Sequence, residues 1–167
     1  MSTAVVVGNP KPGSRTLAAA LHVADRLGEG TPQVVDLASL GTSLLDGEDV
    51  AVQALVDQVA AADLLVVASP TYKGAATGLL KVFLDRFPHA GLDGRVAVPV
   101  MLGALPGHAL AVETSLRPVL TELGAVVPAS LFLVESAYDD PATYDAWAAR
   151  TRPLVDALLH ATAGVGS

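Results

Sequence analysis

Hydroxyl and cationic side chains are concentrated in a short segment that follows the first apolar run of the chain. The segment reads Gly-Asn-Pro-Lys-Pro-Gly-Ser-Arg-Thr over residues 8–16, directly after four apolar residues. Its polar and charged members are Asn9, Lys11, Ser14, Arg15 and Thr16. Because a helix N-terminus presents free backbone amides to an anion, hydroxyls and cations at the start of a helix suit a phosphate group. The segment therefore predicts a phosphate site, with Ser14 also placed to cap the helix.

A second segment offers an aromatic ring and backbone amides directly after another apolar run. It reads Ser-Pro-Thr-Tyr-Lys-Gly over residues 69–74. A tyrosine with adjoining amides suits a flat heterocycle, and the residues expected to bind it are Pro70, Thr71, Tyr72, Lys73 and Gly74. Ligands of open α/β sheets bind beyond the carboxyl ends of the strands, where both segments are expected to lie. Together the two segments predict a site for flavin mononucleotide (FMN).

The first segment also has an ordinary structural interpretation. The first is equally typical of a Gly/Pro turn capped by Ser14, with Lys11 and Arg15 in solvent; only its combination with the second segment favours a phosphate site. Gly8 and Gly13 are spaced as in a P-loop, but Ser14 and Arg15 stand where the P-loop lysine and hydroxyl belong. The segment therefore does not indicate a nucleoside triphosphatase.

Strands and helices that alternate along the chain are needed to position these segments. The patterns predict strands at residues 4–7, 33–37, 63–68, 95–102 and 126–134, and helices at 14–27, 48–62, 75–87, 107–123 and 141–160. Strands that are apolar throughout are typical of a parallel sheet covered on both faces. A phosphate segment after the first strand favours one flavodoxin-like α/β domain over residues 1–167, with a doubly wound five-stranded parallel sheet in the order 2-1-3-4-5.

Two prolines fall within predicted strands. Pro128 lies in the last strand, which is an edge strand in this order, so its missing N–H is tolerable there. Pro99 lies in an internal strand, where we expect either a local bulge or a nitrogen that faces away from the hydrogen-bond ladder.

Composition narrows the classes of function. A hydrophobic share of 51% and a charged share of 16% exclude a disordered chain. A net charge of −7 argues against nucleic acid as a partner, because phosphate binding needs a basic face. The chain has no cysteine, so it forms no disulfide and offers no thiolate to a metal. Its apolar runs are far shorter than the ~20 residues that span a bilayer, and no signal peptide is recognisable, so we expect a cytoplasmic protein without a membrane partner.

Residues 69–85 resemble a known family. Ser-Pro-Thr-Tyr-Lys-Gly at 69–74, followed by Gly-Leu-Leu-Lys-Val-Phe-Leu-Asp at 78–85, is similar to the P-x-Y…G-x-L-K-x-x-x-D signature of NAD(P)H-dependent FMN reductases. The first segment resembles that family's G-S-x-R-x-x-S: Asn9 stands for its serine, Lys11 for its arginine, and Ser14 matches. The resemblance covers roughly residues 3–135.

A third flavin loop is implied by the same resemblance. Gly103 and Ala104 follow the predicted strand 95–102, and His108, beside this loop, is the histidine expected near the ligand. Residues 108–112 and 116–120 are similar to the alkanesulfonate-desulfurisation branch, whose members supply reduced flavin to a separate monooxygenase. Two departures leave it open whether FMN is resident or exchanged. Thr114 stands where a bulky ring is common and favours retention, whereas Ala104 replaces a glycine and favours a looser site.

The resemblance implies hydride transfer from NADPH or NADH to N5 of FMN, with a flavin-dependent monooxygenase as a partner. Because the cofactor carries this chemistry, no catalytic acid–base pair and no metal are expected. An FMN-containing quinone, azo-dye or chromate reductase and a flavodoxin-type electron carrier remain alternatives. The predicted helix 75–87 is apolar nearly all round, so the sheet covers only part of its apolar surface. This pattern predicts a homodimer or homotetramer that covers the rest.

Overall fold

A computed structural model describes residues 1–163. Its core is a five-stranded parallel sheet in the order β2-β1-β3-β4-β5. The strands are Thr3–Val7 (β1), Gln33–Asp36 (β2), Leu64–Pro70 (β3), Val96–Gly103 (β4) and Leu131–Val134 (β5). The predicted flavodoxin-like fold, with its strand order 2-1-3-4-5, is confirmed.

Helices cover both faces of the sheet. They are Arg15–Leu27 (α1), Val50–Ala61 (α2), Gly78–Leu84 (α3), Arg117–Glu122 (α4) and Pro141–Ala163 (α5). Successive side chains of a strand point to opposite faces, so alternate residues of β1 enter two separate cores. Ala4 and Val6 pack with α2, α3 and α4, whereas Val5 and Val7 pack with α1 and α5. Each core is mainly aliphatic.

Pro99 lies inside β4 and opposite Val67 in the register of β3. The amide of Ala97 donates to Val126 O at 2.9 Å, on the β5 side of the strand. Because amides alternate in direction along a strand, the nitrogen of Pro99 faces the same side. On that side, the segment that leads into β5 pairs with β4 at Val126 and then not again until Leu131, so Pro99 faces the unpaired residues between them. The second of our two expectations, a nitrogen outside the ladder, is therefore confirmed.

The predicted start of the last strand is wrong. The last strand begins at Leu131 and not at residue 126, and Val126 makes only an isolated bridge with Val96. Pro128 cannot donate to a ladder and lies in the gap, which accounts for the late start.

The predicted helix 107–123 is broken into three pieces. They are the 3₁₀ helix Pro106–His108, a π-helical turn Val112–Leu116 and α4. Pro118 has no N–H to donate to the carbonyl of Thr114, four residues earlier, so regular α-helical bonding fails there. The hydroxyls of Thr114 and Ser115 bond back to the carbonyls of Leu110 and Ala111, at 2.9 and 2.6 Å.

Tyr144 joins the start of α5 to α1. Its side chain is fully buried, and its hydroxyl donates to the carbonyl of Tyr138. The ring lies 5.1 Å from the His22 ring, and the guanidinium of Arg26 lies 5.2 Å from its centroid. Burial raises the pKa of Tyr144 to about 12 from the ordinary 10.0, although the charge of Arg26 opposes the shift. The folded chain therefore holds this phenol in its neutral form.

Alkaline pH should weaken the fold through Tyr144. Because the folded pKa lies above the unfolded one, the stabilisation is complete below pH 10 and is lost as the pH rises through about 12. A shift of this size corresponds to roughly 2–3 kcal/mol of unfolding free energy. Urea unfolding followed by circular dichroism from pH 9 to 12 should show this loss for the wild type and much less of it for Tyr144→Phe. Tyr72→Phe, at an exposed tyrosine, is the matched control and should retain the loss.

Candidate functional site

Three loops meet at the carboxyl edge of the sheet. Loop 1 (residues 8–14) follows β1, loop 2 (residues 71–77) follows β3, and loop 3 (residues 104–111) follows β4; these three strands are neighbours. Backbone hydrogen bonds continue the ladder into two of them: Gly8 N donates to Ala68 O at 2.8 Å, and Thr71 N donates to Leu102 O at 2.6 Å. The predicted phosphate and ring segments are therefore side by side.

Loop 1 and α3 approach each other so closely that residue 8 has no room for a side chain. A Cβ atom on Gly8 would overlap with Cβ of Leu80 and would lie 3.1 Å from its Cα. Thr77, buried at the start of α3, donates its hydroxyl to the carbonyl of Gly8 and accepts from Leu80 N at 3.2 Å. The amide of Thr77 in turn donates to Ser69 Oγ at 2.9 Å. One threonine thus fixes loop 1 to the end of β3.

Side chains of loop 1 shape the turn that leads into α1. Ser14 is the N-cap, with Oγ accepting from Leu17 N at 3.2 Å, which confirms its capping role. Asn9 spans the loop: its Oδ1 accepts from Lys11 N and its Nδ2 donates to Thr16 Oγ1, both at 2.9 Å. The side chain of Thr16 is buried, so Asn9 and Thr16 are placed to hold the loop in shape, while Ser14 remains at the mouth of the helix.

Charged side chains lie in loop 1 and at the start of α1. Lys11 is exposed and Arg15 projects from the first turn of α1. Arg15 Nη1 lies 3.7 Å from Glu135 Oε2, and its guanidinium carbon lies 5.6 Å from the centroid of the Tyr138 ring. These two residues, which follow β5, were missed at the sequence level. Neither spacing nor strand order indicates them, because about 120 residues separate them from Arg15 and β5 is not adjacent to β1.

Loop 2 is a tight turn with its aromatic ring in solvent. Tyr72 N donates to Ala75 O at 2.9 Å, Ala75 N donates back to Tyr72 O at 3.2 Å, and the Tyr72 side chain is 52% exposed. Lys73 and Gly74, at the tip, have φ values of 54° and 80°. Because Thr71 and Tyr72 have already used their amides within the fold, only those of Lys73 and Gly74 have no acceptor among residues 1–163.

Two buried polar atoms near the ends of β3 and β4 have no hydrogen-bond partner within the described chain. They are Thr71 Oγ1 and His108 Nδ1. A Cβ atom on Gly103 would lie 2.9 Å from the Phe132 ring and 3.2 Å from His108 Cβ, so the glycine brings His108 against the end of β4. An unsatisfied buried polar atom costs about 1–3 kcal/mol. The heterocycle edge of a flavin carries both donors and acceptors, so its chemistry fits these two atoms and the unused amides of Lys73 and Gly74.

The remaining predicted site residues lie around this arrangement. Pro70 ends β3 and is buried opposite Leu102, where it supports loop 2 without exposing a polar group. Ala104 begins loop 3 and is exposed. All three predicted segments therefore lie on one edge of the sheet.

An open cavity of about 900 Å³ lies at the opposite, amino-terminal edge of the sheet. Several of its charged groups are paired with one another or with the backbone: Asp63 accepts from Ser2 N at 2.7 Å and lies 3.6 Å from Arg95, and Arg152 lies 3.6 Å from Asp156. The hydrogen bond from Ser2 N is the main cause that lowers the pKa of Asp63 below 3.8. We therefore place the candidate site at the carboxyl edge, where the three loops meet and where Thr71 Oγ1 and His108 Nδ1 have no partner within residues 1–163.

Residues 1–139 match the sequence profile of a family described as NADPH-dependent FMN reductase. The chain belongs to this family. The predicted family resemblance is confirmed, and with it the prediction of an FMN-dependent oxidoreductase that uses NADPH or NADH.

Individual relatives agree with this assignment. An FMN reductase (NADPH) of Pseudomonas aeruginosa is 35% identical over 149 residues, which are 82% of this chain and 78% of the relative. An FMN reductase (NADPH) of Escherichia coli is 43% identical over 75 residues, but these span only 45% of this chain and 39% of that protein. The crystal structure of an apo NADH:FMN oxidoreductase superposes with a TM-score of 0.77 at 32% identity, covering 96% of this chain and 89% of the other.

Membrane insertion of a helix finds no support in the fold. Among residues 1–163, none of the helices combines the length and the apolar character needed to cross a bilayer.

The close approach at Gly8 should make this position intolerant of a methyl group. Because the clash involves the backbone of Leu80 as well as its side chain, Gly8→Ala should lower the unfolding free energy by about 1–3 kcal/mol. Gly47 provides the control, because it is exposed and a Cβ atom there would meet no other atom within 4 Å. Thermal unfolding should show Gly47→Ala within about 0.5 kcal/mol of the wild type. Equal stability of the two variants would contradict the packing described.

Proposed function

We propose that the protein reduces FMN with NADPH or NADH at the three loops of the carboxyl edge. Loop 1 binds the phosphate through Ser14, Lys11 and Arg15, with Asn9 and Thr16 supporting the loop. Loops 2 and 3 bind the ring. The proposal rests mainly on one observation: unpaired polar atoms, Thr71 Oγ1 and His108 Nδ1, lie beside an anion-binding loop on adjacent strands.

The protein's part in the reaction is to bind and orient. When bound, FMN supplies the hydride-accepting ring, and NADPH or NADH supplies the hydride. Thr71 and His108 offer hydrogen bonds to the polar edge of the ring, and the amides of Lys73 and Gly74 offer positive dipoles to negative charge that develops on it. Tyr72 and Ala104 flank the ring at the solvent side. These residues fix which face of the ring is open to the nicotinamide.

Loss of the Ser14 hydroxyl should separate phosphorylated from unphosphorylated flavin. A charge-assisted hydrogen bond contributes about 1.5–3 kcal/mol, so Ser14→Ala should weaken FMN binding about tenfold or more. Riboflavin lacks the phosphate and should bind the variant nearly as well as the wild type. Fluorescence quenching measures both affinities.

Asp49 provides a control for the loss of a helix cap. It caps α2 by accepting from Ala51 N and Val52 N at 2.9 and 3.1 Å, outside the proposed site. Asp49→Ala should destabilise the fold as Ser14→Ala does, yet leave FMN affinity unchanged. Equal losses for FMN and riboflavin in Ser14→Ala would contradict the phosphate assignment.

Turnover distinguishes a flavin reductase from an electron carrier of the same fold. A reductase that uses FMN as an exchangeable substrate should oxidise NADPH or NADH in steady state, at a rate that rises with added FMN. A flavin-containing quinone or azo-dye reductase would instead need the second acceptor, and an electron carrier would show no steady turnover with either. Oxidation of both nucleotides, measured with and without added FMN, also settles the nucleotide preference.

Self-association remains part of the proposal, on a different surface from the one the sequence indicated. Leu80, Phe83 and Leu84 of α3 are already buried within one chain, so this helix leaves less apolar surplus than expected. Large exposed apolar side chains instead surround the site: Tyr72 is 52%, Leu105 60% and Leu110 71% exposed. We propose a homodimer or homotetramer that covers this surface. Sedimentation at micromolar concentration should give at least twice the 16.9 kDa chain mass, whereas a monomeric mass would contradict it.

Delivery of reduced flavin to a monooxygenase is the proposed downstream step. Its support is the similarity of residues 108–112 and 116–120 to the alkanesulfonate-desulfurisation branch. Such a role requires flavin that exchanges readily.

A further inference from the structure

Two carboxylates lie beside groups that a phosphate would use, one in loop 1 and one at the start of α1. Glu135 Oε2 lies 3.7 Å from Arg15 Nη1, and Asp36 Oδ2 accepts from Gly13 N at 3.3 Å. Asp36 ends β2 and Glu135 follows β5, so the two acids approach the loop from opposite sides of the sheet. An anion site that already carries two negative charges is an unfavourable place for a third.

Glu135 begins a short 3₁₀ helix that ends just before Tyr138. Tyr144 is fully buried, and its hydroxyl donates to the carbonyl of Tyr138. The Tyr138 ring faces the Arg15 guanidinium at 5.6 Å. Arg15 is thus held between a ring and a carboxylate on the same short segment, although the side chains of Arg15 and Glu135 stay 62% and 43% exposed. A pair this exposed is broken at little cost, as an exchangeable ligand requires.

We propose that Glu135 is an intramolecular competitor for the phosphate of FMN. This inference rests on the proposed function and extends it to how tightly the flavin is held. Without flavin, Glu135 neutralises Arg15. When FMN binds, its phosphate displaces the carboxylate, which stays nearby and repels it. Glu135 therefore keeps FMN affinity below what Lys11, Ser14 and Arg15 would provide, and this favours release.

Neutralising Glu135 should tighten FMN binding selectively. Because exposed ion pairs contribute little, Glu135→Gln should lower the Kd for FMN by about two- to fivefold and leave that for riboflavin unchanged. The advantage should shrink as salt rises from about 0.01 M to about 1 M, because screening weakens interactions between exposed charges. In an Arg15→Gln background the same change should have a smaller effect, because the partner of Glu135 is gone.

Asp156 provides the matched control for net charge. It is as exposed as Glu135 and lies 3.6 Å from Arg152, but it sits by the cavity at the opposite edge of the sheet. Asp156→Asn should leave both flavin affinities unchanged. A second measurement needs no flavin: inorganic phosphate should raise the melting temperature of Glu135→Gln more than that of the wild type.

The outcomes distinguish this inference from the function on which it rests. An unchanged FMN affinity in Glu135→Gln, an equal gain for riboflavin, or an equal gain in Asp156→Asn would each overturn the inference. If the wild type nevertheless oxidises NADPH or NADH with added FMN, the proposed function stands. A wild type that binds neither flavin and shows no turnover would overturn both.

Discussion

The contact between loop 1 and α3 is the constraint on which the rest of the site depends. A glycine at residue 8 lets the chain pass against Leu80, and the Thr77 hydroxyl closes the contact by donating to the Gly8 carbonyl. The Thr77 hydroxyl also accepts from the amide of Leu80, in the first turn of α3, and the amide of Thr77 donates to Ser69. Loop 1 and the end of loop 2 are therefore joined through buried hydrogen bonds and do not move independently. These bonds add little conformational entropy cost once the strands are in register.

Burial of the sheet explains why the groups at its carboxyl edge have well-defined positions. The strands β1, β3 and β4 are buried along their whole length, and their amides are paired with neighbouring strands. Irregular backbone begins only where the ladder ends, and the first amides of loops 1 and 2 still follow the ladder. Polar atoms left unpaired beyond that point, such as Thr71 Oγ1 and His108 Nδ1, are held by a rigid scaffold. Because these atoms are already oriented, little conformational entropy is lost when a ligand binds to them.

In our proposal, the charges at the carboxyl edge favour exchange of the flavin over its retention. Three cations, Lys11, Arg15 and Lys73, lie on the loops of a chain whose net charge is −7. Asp36 accepts from Gly13 N in loop 1, and Glu135 lies beside Arg15 at the start of α1. The sequence pattern around Thr114 had favoured retention of the flavin, whereas the acids found in the fold favour its release. In our proposal the acids act on the phosphate, which carries most of the charge of FMN, and we therefore give them the greater weight.

Local patterns were sufficient to predict the fold class, the strand order and two of the three loops. Buried parallel strands are apolar throughout, and the glycine, proline and hydroxyl residues of a strand-to-helix turn are adjacent in the chain, so both leave a readable pattern. The third loop and His108 came only from resemblance to a family. The interruption of the last strand at Pro128 and of the fourth helix at Pro118 was missed, since a helix or strand pattern continues across a proline that breaks hydrogen bonding.

Only the tertiary structure decided which groups surround the loops. Thr77 reaches Gly8 across 69 residues of chain, and Glu135 reaches Arg15 across about 120. No spacing rule connects such residues, because their proximity depends on the order in which the strands pair and on the depth at which each helix packs. Sequence thus determined what chemistry the loops could offer, and the packing of the sheet and helices determined which charges compete for it.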